Sequence, residues 1–150
     1  MAHVLIATTH GQYQRMLADL LTAAGHHVVT TSDTGLARAA LCLSERRIVA
    51  LLAEAGSGGR GMLDVALSSS QMWGESEDIR HTYILLTQQP LSELSTGLRA
   101  LLAADRATHL PLDCSIGALL TAVEVASERL TSNVAARKPV ESAALVGYAS

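Results

Sequence analysis

Residues 56–61 spell GSGGRG, a glycine spacing that lets backbone amides approach a phosphate. A dinucleotide-binding turn needs support elsewhere. It belongs in the first βα unit, and an acidic side chain about 20 residues later, at the end of the next strand, must bind the ribose. Here the next apolar run ends Leu86-Thr87-Gln88-Gln89, while Glu75, Glu77 and Asp78 all precede it. The loop also falls in the third unit, with too little chain after it for a second nucleotide-binding half. The segment reads as a glycine-rich connection, not a phosphate cradle. Other reactive groups near strand ends are Glu54, the hydroxyls of Thr8, Thr9 and Thr87, and the imidazoles of His10 and His109. Glu54 follows Ala53, and consecutive strand residues face opposite sides of a sheet. Asp64 stands early in a helix, where a carboxylate complements the helix dipole. Two imidazoles without a carboxylate make a poor metal-ligand set. His3, His26, His27 and His81 read as ordinary strand-edge residues.

The elements that position these groups alternate between strand and helix. HVLIATT is apolar on successive positions, as in a strand covered on both faces. Tyr13, Met16, Leu17, Leu20 and Leu21 then recur at three and four, predicting an amphipathic helix that stops at Gly25. HHVVTTS is a second strand, and Asp33 or Thr34 caps a helix expected to turn Leu36, Ala40, Leu41 and Leu43 inward. RIVALLA, HTYILLT and RATHL are the remaining strands. The helices between and after them carry Leu63, Ala66 and Leu67, then Leu91, Leu94, Leu98 and Leu101, then Ile116, Leu119, Leu120 and Val123. Five such units predict a parallel sheet with helices on both faces. The domain is expected over 1–130, and 131–150 is expected to be a mobile tail or a short docking segment.

Composition narrows the function classes. The chain has 150 residues, enough to bury roughly 70% of the surface its unfolded form exposes. Charged residues are only 17%, and mean hydropathy is +0.27, which suggests that a partner covers some helical surface. A net charge of −3 with scattered basic residues argues against nucleic acid, and 3% aromatics without any Phe leave no base-stacking platform. No apolar run approaches the ~20 residues that span a bilayer. A cytoplasmic protein is expected. Cys42 and Cys114 stand far apart without metal-ligand spacing, as buried free thiols of a reducing compartment do.

Over residues 3 to about 130 the sequence resembles the receiver domains of bacterial response regulators. VLIATTHGQYQRMLADLLTAAGHHV is similar to the family's first strand and helix. IVALLAEAGSGGRGM resembles the strand ending in the phosphoacceptor aspartate, with Gly61 at the family's glycine. ILLT matches the strand ending in Ser or Thr, and ADRATHLPLD resembles the last strand, where Lys-Pro is usual. The resemblance implies an α/β, flavodoxin-like (βα)5 three-layer sandwich with a five-stranded parallel sheet of order 2-1-3-4-5.

The same alignment implies that the chemistry has been lost. In the family an acidic pair and the acceptor aspartate hold Mg²⁺, and a lysine and a hydroxyl contact the phosphoryl oxygens. Those positions here are Thr8 and Thr9, Ala53, Leu110 and Thr87; the switching aromatic of the last strand is Ala107, and a stiffening proline is Ser57. Only Thr87 and Pro111 remain. Mg²⁺ requires hard, preferably anionic oxygens, and an aspartyl phosphate requires a carboxylate nucleophile. No cofactor and no Mg²⁺ are therefore expected, and the chain is not expected to be an enzyme. The reading favoured by the sequence is a phosphorylation-independent interaction or dimerisation module in bacterial signal transduction, its partner another protein or a second copy. Leu91, Leu94, Leu98 and Leu101, with Leu102 beside them, form the candidate interface, because the family commonly docks through its fourth helix, fifth strand and fifth helix. Two alternatives stay open: a small-molecule or anion sensor using the hydroxyl-lined pocket, and residual phosphoacceptor activity at Glu54.

Overall fold

The computed structural model describes residues 2–54, 61–72 and 80–130, together with the backbone of 131–145. The glycines at 56, 58 and 59 and Trp73 lie outside the described residues. Five strands run in parallel: β1 (His3–Ala7), β2 (His27–Thr31), β3 (Ile48–Glu54), β4 (His81–Thr87) and β5 (Ala107–Leu110). Their spatial order is β2-β1-β3-β4-β5. The helices are α1 (Gly11–Ala23), α2 (Thr34–Leu43), α3 (Asp64–Met72), α4 (Thr96–Ala103) and α5 (Ile116–Leu145). The architecture is the flavodoxin-like three-layer sandwich.

Two apolar clusters explain the layering. Leu17 and Leu21 of α1 and Leu119, Val123 and Ala126 of α5 pack with Ile6, Leu51 and Ile84 on one face. Ala37 and Leu41 of α2, Val65 and Ala66 of α3, and Leu98 and Leu101 of α4 pack with Leu5, Leu52 and Leu85 on the other. Because β3 and β4 are covered on both sides, their residues are buried without alternation and most are apolar.

Local signals account for most boundaries. Gly25 adopts φ +97°, and its N–H bonds to the Thr22 carbonyl while the His26 N–H bonds to Leu21, closing α1 in a left-handed turn that favours glycine. Asp33 is the cap of α2, its Oδ1 accepting the Leu36 N–H at 2.9 Å. The inward face of α2 is narrower than expected. Ala37 and Leu41 are buried, but Leu36 and Leu43 are 64% and 75% exposed. The sheet beneath ends at β2, so among the described residues the helix side that carries Leu36 and Leu43 has no strand to pack on.

The leucine series 91–101 also differs from a single helix. Leu91–Glu93 form one 3₁₀ turn, the chain extends at Leu94, and α4 begins after Ser95, whose hydroxyl accepts the Leu98 N–H at 3.2 Å. A serine cap interrupts a spacing that otherwise reads as continuous. At the other end, α5 continues as far as Leu145, beyond the helix end expected near Thr131. The added stretch is rich in alanine, the strongest helix former.

His26 and His81 are buried rather than strand-edge residues. His26 accepts the Ala2 N–H through Nδ1 at 3.1 Å. His81 accepts the Ile48 N–H through Nδ1 at 3.1 Å and donates from Nε2 to the Leu41 carbonyl at 2.7 Å. It thereby ties the start of β3 to α2, and these two partners require the neutral imidazole. Burial, followed by the charges of Arg80 and Arg47, lowers its pKa to about 4, against the Leu41 bond that favours protonation.

Candidate functional site

In an open parallel sheet, ligands bind beyond the carboxyl ends of the strands. The register there fixes which side chains meet. Ala7 pairs with Leu52, Ala53 with Leu86, and Leu86 with Leu110. Thr8, immediately after Ala7, therefore continues a row that runs Thr8, Ala53, Leu86, Leu110. Ala53 and Leu86 are buried in the cluster facing α1 and α5, and Leu110 packs against it. Thr87 stands one residue beyond this row, paired with Glu54. Thr9 is exposed.

The hydroxyls of Thr8 and Thr87 are already engaged. Thr8 is fully buried, and its Oγ1 accepts the His10 N–H at 3.2 Å. Thr87, also buried, accepts the Gln89 N–H at 3.2 Å. Thr31, which the sequence reading did not single out, accepts the Asp33 N–H at 3.2 Å. Three strand ends thus close in the same way, with a threonine oxygen turning the chain back on the amide two residues later. Gln14, also not anticipated, braces two of them, its Nε2 donating to the carbonyls of Thr31 at 2.8 Å and Thr8 at 3.5 Å. The -TS- and -TQQ- sequences after the strands carry the turn signal; the brace from α1 depends on tertiary placement.

Such a rim does not fit Mg²⁺. An octahedral dication is held by anionic or carbonyl oxygens, and this row offers one buried, hydrogen-bonded hydroxyl, a methyl and two isobutyl groups. No group of three or more His, Cys, Asp or Glu among the described residues is placed to hold a metal ion. His10 and His109 do not form a pair at this mouth. His10 lies with Gln12, Tyr13, Gln88 and Asp113 in a shallow depression between α1 and the β5–α5 turn. The His109 ring bonds through Nε2 to the Gln89 carbonyl at 3.1 Å.

Glu54 lies on the other side of β3 from Ala53, as strand alternation requires. Its carboxylate lines a cavity with Gly61, Leu63, Asp64 and Leu98, on the α3–α4 face. Burial raises its pKa, opposed by the backbone N–H groups of Leu63 and Met62 and reinforced by Asp64. Its Oε1 is enclosed without a hydrogen-bond partner among the described residues. Asp64 occupies the first turn of α3, where the dipole favours it.

Ala107 is buried and paired with Tyr83. A methyl has no rotamer to switch. The neighbouring phenol is pinned, with Tyr83 Oη and Ser69 Oγ 2.6 Å apart and burial raising its pKa to about 12. The proposed interface leucines need correction. Leu94, Leu98 and Leu101 are 4%, 3% and 7% exposed and belong to the core over β3 and β4. Leu102 packs partly against that core, and only Leu91 is open to solvent. A leucine at helical spacing serves the sheet first, and this short helix has one face to bury.

No protein-family model matches this sequence, and no curated protein does. Solved structures do. The N-terminal domain of a response regulator/sensory box/GGDEF protein from Carboxydothermus hydrogenoformans is 18% identical with a TM-score of 0.69, covering 88% of this chain and 98% of that one. A CheY-like receiver domain protein from Methanospirillum hungatei is 13% identical with a TM-score of 0.64, covering 89% and 96%. The signal receiver domain of a modulated diguanylate cyclase from Desulfovibrio desulfuricans is 16% identical with a TM-score of 0.61, covering 87% and 97%. With strand order, helix placement and these likenesses in agreement, the chain has the fold of a response-regulator receiver domain.

Proposed function

We propose that this protein is a receiver-fold module of bacterial signal transduction that works without phosphorylation, by binding a protein partner or a second copy of itself. The observation that carries the reading is the row Thr8–Ala53–Leu86–Leu110, which supplies neither a carboxylate nucleophile nor anionic oxygen. What such a domain retains is a rigid scaffold with faces to offer. Exposed Val29, Leu36 and Leu43 on β2 and α2 supply apolar surface, in place of the buried leucines of α4.

Labelling with acetyl phosphate, read by intact mass, tests this reading. The expected result is no covalent phosphate. A phosphoprotein whose label vanishes in Glu54→Gln would favour the residual-acceptor alternative. The position of Glu54, away from the threonine row and beside Asp64, gives that alternative little support.

A further inference from the structure

At the opposite end of the sheet, a groove of about 500 Å³ opens between the end of α2 and the edge strand β2. That volume lies within the roughly 300–1,000 Å³ of small-molecule sites. Its apolar surface includes Leu5, Val29, Ala40 and Ile48, and Val29 is 64% exposed there. The polar end is formed by His3, His27 and Arg46. The two imidazoles stack with centroids 5.0 Å apart and planes 16° from parallel. The Arg46 Nη1 donates to His3 Nε2 at 3.1 Å. None of the residues lining the groove is a carboxylate.

Arg46 uses one N–H on a neutral ring nitrogen and has no acidic ion-pair partner among the described residues. His3 is held below its ordinary pKa by burial, then by Arg46 and His27. The Arg46 guanidinium stands at one end of an apolar trough beside the His3 and His27 rings, and an anion placed there would be attracted by it. A carboxylate matches a guanidinium in geometry as well as charge. We propose that the α2–β2 groove binds a small carboxylate with an apolar body, its head group on Arg46 and the His3–His27 pair and its body along Val29, Ala40 and Ile48. This goes beyond the phosphorylation-independent reading and does not depend on it.

Titration of the ¹⁵N-labelled protein with octanoate and with octanamide, which has the same shape without the charge, tests the site. Saturable shifts confined to the starts of β1, β2 and β3, the end of α2 and the segment through Arg46 are expected with octanoate, and at least about tenfold weaker binding with octanamide, as expected for loss of a charge-assisted hydrogen bond. Arg46→Gln should weaken octanoate about tenfold while leaving octanamide unchanged. Val29→Asp, at a position 64% exposed, should abolish both. The proposal is overturned if octanoate gives no saturable shift, if the shifts lie elsewhere, or if Arg46→Gln binds as tightly as the parent. None of those outcomes would alter the phosphorylation result.

Discussion

The Thr8 hydroxyl accepts the backbone N–H of His10 at 3.2 Å. This side chain is a device for turning the chain. Replacing Thr8 with valine keeps its volume and removes that acceptor, so we expect a loss of about 1 kcal/mol. Thr87→Val should behave alike, because Thr87 holds Gln89 in the same way. Urea unfolding checks both, and the loss should be the same with and without Mg²⁺. A role in metal binding would make it Mg²⁺-dependent.

The leucines of the α4 region separate by burial. Leu98→Ala should cost about 2–5 kcal/mol, as truncation in a packed core does. Leu91→Ala, at an exposed position of the 3₁₀ turn, should change stability by less than about 0.5 kcal/mol. Denaturation midpoints of the two variants decide this. Equal, small effects would return Leu98 to the surface.

His81 makes stability depend on pH. Its folded pKa, about 4, lies below the unfolded value of 6.5, so the unfolded chain binds a proton first as pH falls. The contribution is complete above pH 6.5 and is lost between 6.5 and about 4, amounting to about 3 kcal/mol. Urea midpoints measured across that range should fall steeply in the parent. His81→Gln should be less stable at neutral pH, with a flatter profile.

Much of this was legible in the chain itself. Gly25 and Asp33 mark helix ends through backbone freedom and side-chain capping, and both are local properties. The apolar runs of β1, β3 and β4 give the heart of the sheet, because strands covered on both faces need no alternation. The α4 leucines and α2 resisted reading for a shared reason: periodicity identifies an apolar stripe but not what lies opposite it. Leu94 and Leu98 meet Leu63 and the central strands, whereas Leu36 and Leu43 overhang a sheet that ends at β2. The threonine row was readable in composition, since Ala53 and Leu110 cannot be ionised anywhere. The commitment of its hydroxyls to His10 and Gln89 required coordinates. So did the meeting of His3, His27 and Arg46, whose parts come from three separate segments.

Thermal or urea unfolding with and without millimolar Mg²⁺ and beryllofluoride, a mimic of the acyl phosphate, tests the central claim most directly. Ligands that bind only the folded state raise stability by mass action. A chain whose strand ends present Thr8, Ala53 and Leu110 should unfold at the same midpoint in both conditions. A clear Mg²⁺- and beryllofluoride-dependent rise would contradict the account and return phosphoryl chemistry to this fold.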